Sequence, residues 1–167
     1  MQTYARQGGT SAIFIHDDGL QLISEEDREA RIRFYADHNI GWVARPKHES
    51  SPDGFKRAGR FKKASNMNYG LALSLKLEKH LAALEAAGED DYEDGESLED
   101  RALAMAVEEV YEESGKRWKP WAANGRSLRC GEIILIVDSD TIVPEVGWYH
   151  AIVVLHMSNN SLAGLLT

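Results

Sequence analysis

Glu132-Ile133-Ile134-Leu135-Ile136-Val137 is a near-continuous apolar run, and it leads directly into Asp138-Ser139-Asp140. Such a run, rich in β-branched residues, reads as a central parallel strand covered on both faces. Upstream, Ser11 to His16 is a second apolar run, closed by Asp17-Asp18-Gly19. It reads as a buried strand followed by a tight turn. Gly41-Trp42-Val43-Ala44 reads as a further strand, stopped by Pro46. Helical patterns fill the intervals. Ser24 before Glu25, Glu26 and Asp27 is an N-cap with acids in the first turn, and its helix sets Ile32, Tyr35 and Ala36 on one face before fading near His38-Asn39. A longer helix is predicted from Asn66 to Ala86, with Leu71, Leu75, Leu81 and Leu84 as its apolar face, and another from Leu98 to Glu113, ahead of Trp118 and Trp121. Strands alternating with helices predict an α/β fold with a mainly parallel sheet.

The 167 residues leave room for one domain, and 43% hydrophobic with 28% charged residues is ordinary for a soluble globular chain. A net charge of -8 argues against nucleic acid as a partner, because that affinity rests on Lys and Arg neutralising phosphates. The charge is uneven: Glu89 to Asp100 holds much of the acid and is expected to be a solvated linker, while Lys56 to Lys63 is basic. Cys130 stands alone, so no internal disulfide forms. The start of the chain lacks a signal-peptide pattern, and no apolar stretch reaches the length of a membrane span.

Three segments have the residues for chemistry. An Asp-x-Asp alone has little force in a chain with 11 Asp, but Asp138 and Asp140 follow a strand, where ligands of open α/β sheets bind. Two carboxylates there repel unless a hard cation joins them, which suits Mg²⁺ or Mn²⁺. The competing reading is a solvated strand end. Asp17-Asp18-Gly19 also ends a strand; taken singly it is an ordinary turn, and beside the first pair it places more acids around one crevice. In Lys62-Lys63-Ala64-Ser65-Asn66-Met67-Asn68 a basic run meets a helix start, so backbone N–H groups and Lys63 are placed to converge on a diphosphate. The same segment reads equally as a solvated loop with Ser65 or Asn66 as N-cap. The six histidines show no metal-ligand spacing.

In order, these segments resemble the first half of a family-2 glycosyltransferase domain of the GT-A fold, especially its cellulose-synthase-like branch. The resemblance lies in Asp17-Asp18-Gly19, Lys63 to Asn68, and Asp138 to Asp140, with Gly41 to Pro46 in the place of an intervening strand. It implies a partial, Rossmann-like sheet with an acidic helical insertion: a nucleotide-sugar domain over residues 1–145, an insertion over about 76–130 with its acidic linker at 88–100, and a non-matching tail at 146–167. By resemblance, Asp18 with Asp17 contacts the nucleoside, Lys63 and Asn66 belong to the diphosphate segment, and Asp138 and Asp140 engage ribose, phosphates and a Mn²⁺ or Mg²⁺ ion. The implied partner is a nucleotide-sugar donor, with UDP-sugar first, and the implied setting is cytoplasmic, with a membrane-bound full-length relative. The family's catalytic-base and acceptor motifs are absent, so the chain reads as truncated at both ends and inactive as a transferase alone. Two alternatives remain: a haloacid-dehalogenase-type phosphatase with Asp138 as nucleophile, although no Lys or Asp follows Asp140, and a non-catalytic nucleotide-binding remnant.

Overall fold

A computed structural model describes residues 10–58, 63–89, 95–131 and 133–137. Ala12–Arg129 is one compact unit, and the remaining described residues fall to a second. In the first unit the order is β1 (Phe14–His16), a 3-10 turn (Asp18–Gln21), α1 (Glu25–Asp37), β2 (Gly41–Ala44), α2 (Lys63–Ala86), α3 (Leu98–Glu113), β3 (Trp121–Ala123) and α4 (Gly125–Leu128). β2 is central. It pairs parallel with β1, setting His16 opposite Val43, and antiparallel with β3, setting Trp42 opposite Ala123.

Every residue of β2 is buried, so its alternation divides the core between two faces. Trp42 and Ala44 join Leu20, Tyr35 and Ile40 on the α1 side. Val43 joins Leu73, Leu77, Leu81 and Leu84 of α2, Ala102, Leu103, Ala106 and Val107 of α3, and Leu128. α2 and α3 lie antiparallel: Lys76 reaches Glu113, His80 reaches Glu109, and Arg101 pairs with Glu89 across the other end. Small Ala102 and Ala106 let the two helices approach, while the leucines fill the interface.

Local signals place the helix ends. Ser24 Oγ accepts from Asp27 N, and Ser97 Oγ accepts from Asp100 N, so each helix opens on a hydroxyl cap. α1 stops at Asn39, whose φ of 52° is left-handed. Asn124, with φ of 67°, caps α4 and donates from Nδ2 to Asn39 Oδ1 at 2.7 Å. Gly125 sits so close to α3 that a Cβ would meet the Glu99 carbonyl oxygen, and its N–H donates to Asp100 Oδ1 at 2.7 Å.

The architecture corrects the sequence expectation. Of the described residues 53% are helical and 8% lie in strands, and the sheet is small, open and mixed rather than a Rossmann-like GT-A core. The expected central strand is the decisive failure: residues 133–137 form no strand, and Ile133, Ile134, Ile136 and Val137 are 44 to 57% exposed. A β-branched apolar run suits a pleated surface, but a strand exists only where a partner supplies its hydrogen bonds. The first strand is shorter than Ser11 to His16, and β3 was not expected. On α2 the buried leucines are Leu73, Leu77, Leu81 and Leu84, so Leu81 and Leu84 lie as expected whereas Leu75 is 72% exposed. On α1, Tyr35 is buried and Ala36 is exposed. The expected linker from Glu89 to Asp100 is not wholly solvated either, since it runs into α3, where Asp100 accepts from both Ser97 and Gly125.

Candidate functional site

Because β1 and β2 run parallel, their carboxyl ends open on one edge, and the first turns of α2 lie against it. His16 ends β1, Asp17 and Asp18 follow, and Arg45 follows β2. Arg45 turns inward and is only 1% exposed. Its Nη2 donates to Asp18 Oδ2 at 2.7 Å, its Nε lies 3.2 and 3.3 Å from the two Asp18 oxygens, and its backbone N–H donates to Asp18 Oδ1 at 3.2 Å. Its Nη1 donates to Ser65 Oγ of α2 at 2.9 Å. A buried guanidinium is tolerated only when charge and hydrogen-bond donors are both matched, and Asp18 with Ser65 does this.

Arg57 closes the outer side. Its Nη1 lies 3.5 Å from Asp18 Oδ2, while Nη2 and Nε donate to the carbonyls of Arg45 and Pro46 at 3.2 and 3.1 Å. Gln21 Nε2 also donates to the Arg45 carbonyl, at 2.7 Å. One acid therefore joins β1, β2, the loop after β2 and α2.

Asp17 faces the other way. Its Oδ1 accepts from Gly19 N at 3.0 Å, and its Oδ2 accepts from Tyr35 Oη at 2.8 Å and Arg31 Nη1 at 2.9 Å. Burial, then the bond to Asp17, pushes the Tyr35 phenol well above its ordinary value. Asp17 is a brace between the 3-10 turn and α1, with its oxygens spent inside the fold.

Three polar side-chain atoms, His16 Nδ1 at the end of β1 and Asn66 Oδ1 and Tyr69 Oη on α2, are buried without a hydrogen-bond partner among the described residues. Asn66 and Tyr69 are one turn apart on α2, and Asn66 Nδ2 reaches the His16 carbonyl at 3.5 Å, so its amide oxygen points elsewhere. The His16 ring lies tilted against Phe14, with centroids 4.4 Å apart, and sits on Gly70, where a Cβ would come within 2.1 Å of Cε1. Burial lowers the His16 pKa below 6.5, so the ring is neutral near pH 7. A backbone interaction with Asn66 partly opposes that shift, although no partner meets hydrogen-bond geometry at Nδ1. Burial raises the Tyr69 phenol to about 12, so it carries its proton. Phe55 stands edge-on to Tyr69 and to Trp118, with ring centroids 6.1 and 5.7 Å away, and walls this side with aromatic surface.

The structure thus brings together Asp18 and Asn66 of the expected site residues, and turns Asp17 away. Lys63 opens α2 on its exposed side. Ser65 and Asn66 lie inside the helix rather than capping it. Asp138 and Asp140, which bore the Mn²⁺ or Mg²⁺ expectation, lie outside the described residues. Among the described residues no three His, Cys, Asp or Glu side chains are grouped to hold a metal, and no helix is long and apolar enough to cross a membrane. Sequence reading missed His16, Arg45, Arg57 and Tyr69. Tyr69 had a usable signal in its i,i+3 spacing from Asn66, whereas a buried Arg45 is visible only once Asp18 faces it.

No family model, curated protein or solved structure matches the chain. With the sheet that a GT-A domain requires also missing, the resemblance to family-2 glycosyltransferases and their cellulose-synthase-like branch does not hold. The transferase reading, and with it a nucleotide-sugar and metal-binding half domain, falls for the same reason: the extensive parallel sheet that would carry it is absent from the described architecture.

Proposed function

We propose that the unit Ala12–Arg129 is a binding module for a small polar molecule, held at the carboxyl ends of β1 and β2 by His16, Asn66 and Tyr69. The observation that carries this reading is the set of three buried polar atoms without partners. An unpaired buried polar group costs about 1–3 kcal/mol, and folded proteins satisfy most such groups, so three on one edge mark a place where something else completes the bonding. The location agrees with the general habit of ligands to bind beyond the carboxyl ends of parallel strands, and the aromatic wall of Phe55 and Trp118 supplies apolar surface beside the polar atoms. The Asp18–Arg45–Ser65 network then acts as scaffold, fixing α2 against the strands.

Two-dimensional NMR of the full chain with small polar probes, charged and uncharged, tests the reading. Saturable shifts of the Asn66 side-chain amide and of the His16 ring are expected with at least one probe, and those of the His16 ring are expected to disappear in Asn66→Leu. If every probe leaves these signals unmoved, the three atoms are satisfied by water alone and the binding reading fails.

A further inference from the structure

We infer that Asn124 is a deamidation site that the fold holds in check and that local opening of α4 releases. Asn124-Gly125 is the one Asn-Gly step in the sequence. Such a step is open to ring closure because Gly has no side chain to shield its backbone nitrogen or to limit its rotation. The reaction needs only the chain and water. The Gly125 nitrogen, having lost its proton, attacks Asn124 Cγ, and the new C–N bond closes a succinimide. The Cγ–Nδ2 bond breaks, and Nδ2 leaves with the displaced proton as ammonia. Water then opens the ring at either carbonyl, leaving an aspartyl or an isoaspartyl link.

In the folded chain each requirement of that closure is blocked. With φ of 67° and ψ of 76°, the Asn124 backbone turns the Gly125 nitrogen to the far side of the Cα–C bond from Cβ, so it faces away from Cγ. The side chain is pinned at both ends: Oδ1 accepts from Ser127 N at 3.0 Å, and Nδ2 donates to Asn39 Oδ1 at 2.7 Å. The Gly125 N–H is held as well, by Asp100 Oδ1 at 2.7 Å. That carboxylate opposes loss of the amide proton, which would set a second negative charge beside its own. Gly125 is buried against the Glu99 carbonyl, which resists the rotation that would bring its nitrogen round.

Opening, once used, does not fully reverse. Conversion to an acid removes the Nδ2 donor, so the bond to Asn39 is lost, and it sets a new negative charge next to the N–H that Asp100 holds. The same corner ties α4 to the residues ahead of β2, through Ser127 Oγ donating to the Asn39 carbonyl at 3.1 Å. Deamidation therefore weakens this joint and leaves a covalent record that it has opened.

The test follows the full 167-residue chain in mildly alkaline buffer, with and without urea. Mass spectrometry of the peptide containing Asn124 reads the exchange of its amide for an acid. Conversion in buffer is expected to be at least about tenfold slower than in urea, because it must wait for an uphill local opening. Asp100→Ala and Asn39→Ala each remove one restraint. Those that a backbone spectrum shows to be folded are expected to convert several-fold faster than the parent in buffer, and at the parent's rate in urea. Equal rates for the parent in buffer and in urea overturn the inference. So does the failure of every folded variant to outpace the parent in buffer, because these bonds would then not be the restraint.

Discussion

Arg45 shows how much of this fold hangs on one residue. Its guanidinium is buried, and it ties Asp18 at the end of β1 to Ser65 in α2. Removing one partner of a buried pair strands the other, so Arg45→Ala is expected to cost about 3–5 kcal/mol in chemical denaturation. His16 has the opposite character: it gains nothing by being charged. Its pKa is lowered on folding by burial, so below about 6.5 the unfolded chain takes up a proton that the folded chain refuses. Stability should therefore fall as pH drops from 6.5 toward the folded value, and His16→Gln should flatten that part of the profile. Glu109 occupies a separate window. Lys76 above all, with His80 and Lys79, holds its carboxyl down at about 2, so its contribution is lost between 4.5 and 2. The denaturation midpoint measured against pH separates the two windows. A His16→Gln profile matching the parent above pH 5 would remove the burial account of this ring.

Among the elements, α2 does the most to build the molecule. At 24 residues it is about 36 Å long, and it buries Leu73, Leu77, Leu81 and Leu84 against α3 and β2 while its start lies beside the site. Leu77→Ala is expected to destabilise by about 2–5 kcal/mol, and Leu75→Ala to stay within about 0.5 kcal/mol, as read from urea melts. Equal losses at the two positions would mean that the helix is rotated from the orientation described. This pair also shows what could be read in advance. The presence of α2 was legible, as was the Ser24 cap, because periodicity and capping are local; the Ser97 cap gives the same local signal but was read as part of an acidic linker. Its buried face was legible only in part: Leu81 and Leu84 were expected inside and are buried, whereas Leu71-Leu75 and Leu73-Leu77 have the same spacing and only α3 chooses between them. The run ending at Val137 was misread for a related reason: its residues suit a strand, but composition alone supplies no partner, and residues 133–137 form none. Asp17 and Asp18 were read as one group of acids around a crevice, yet nothing in Asp-Asp-Gly says that Arg31 and Tyr35 will claim one and Arg45 the other.

At the scale of the molecule, a small mixed sheet carries β2 as a buried hinge between two apolar clusters, and the strands it aligns end at one polar edge. That edge gives up stability. Its charged groups are engaged with one another, whereas His16 Nδ1, Asn66 Oδ1 and Tyr69 Oη are left without partners among the described residues, a pattern expected where binding rather than folding sets the requirement. The central claim is that these atoms are unpaired in the free protein, and Tyr69→Phe tests it most directly because it removes a hydroxyl and little else. In a thermal melt without added ligand, the account predicts that Tyr69→Phe is the more stable protein by about 1 kcal/mol, a rise of a few degrees in Tm. A fall in Tm would contradict it, showing that the Tyr69 hydroxyl already has its partner in the folded chain.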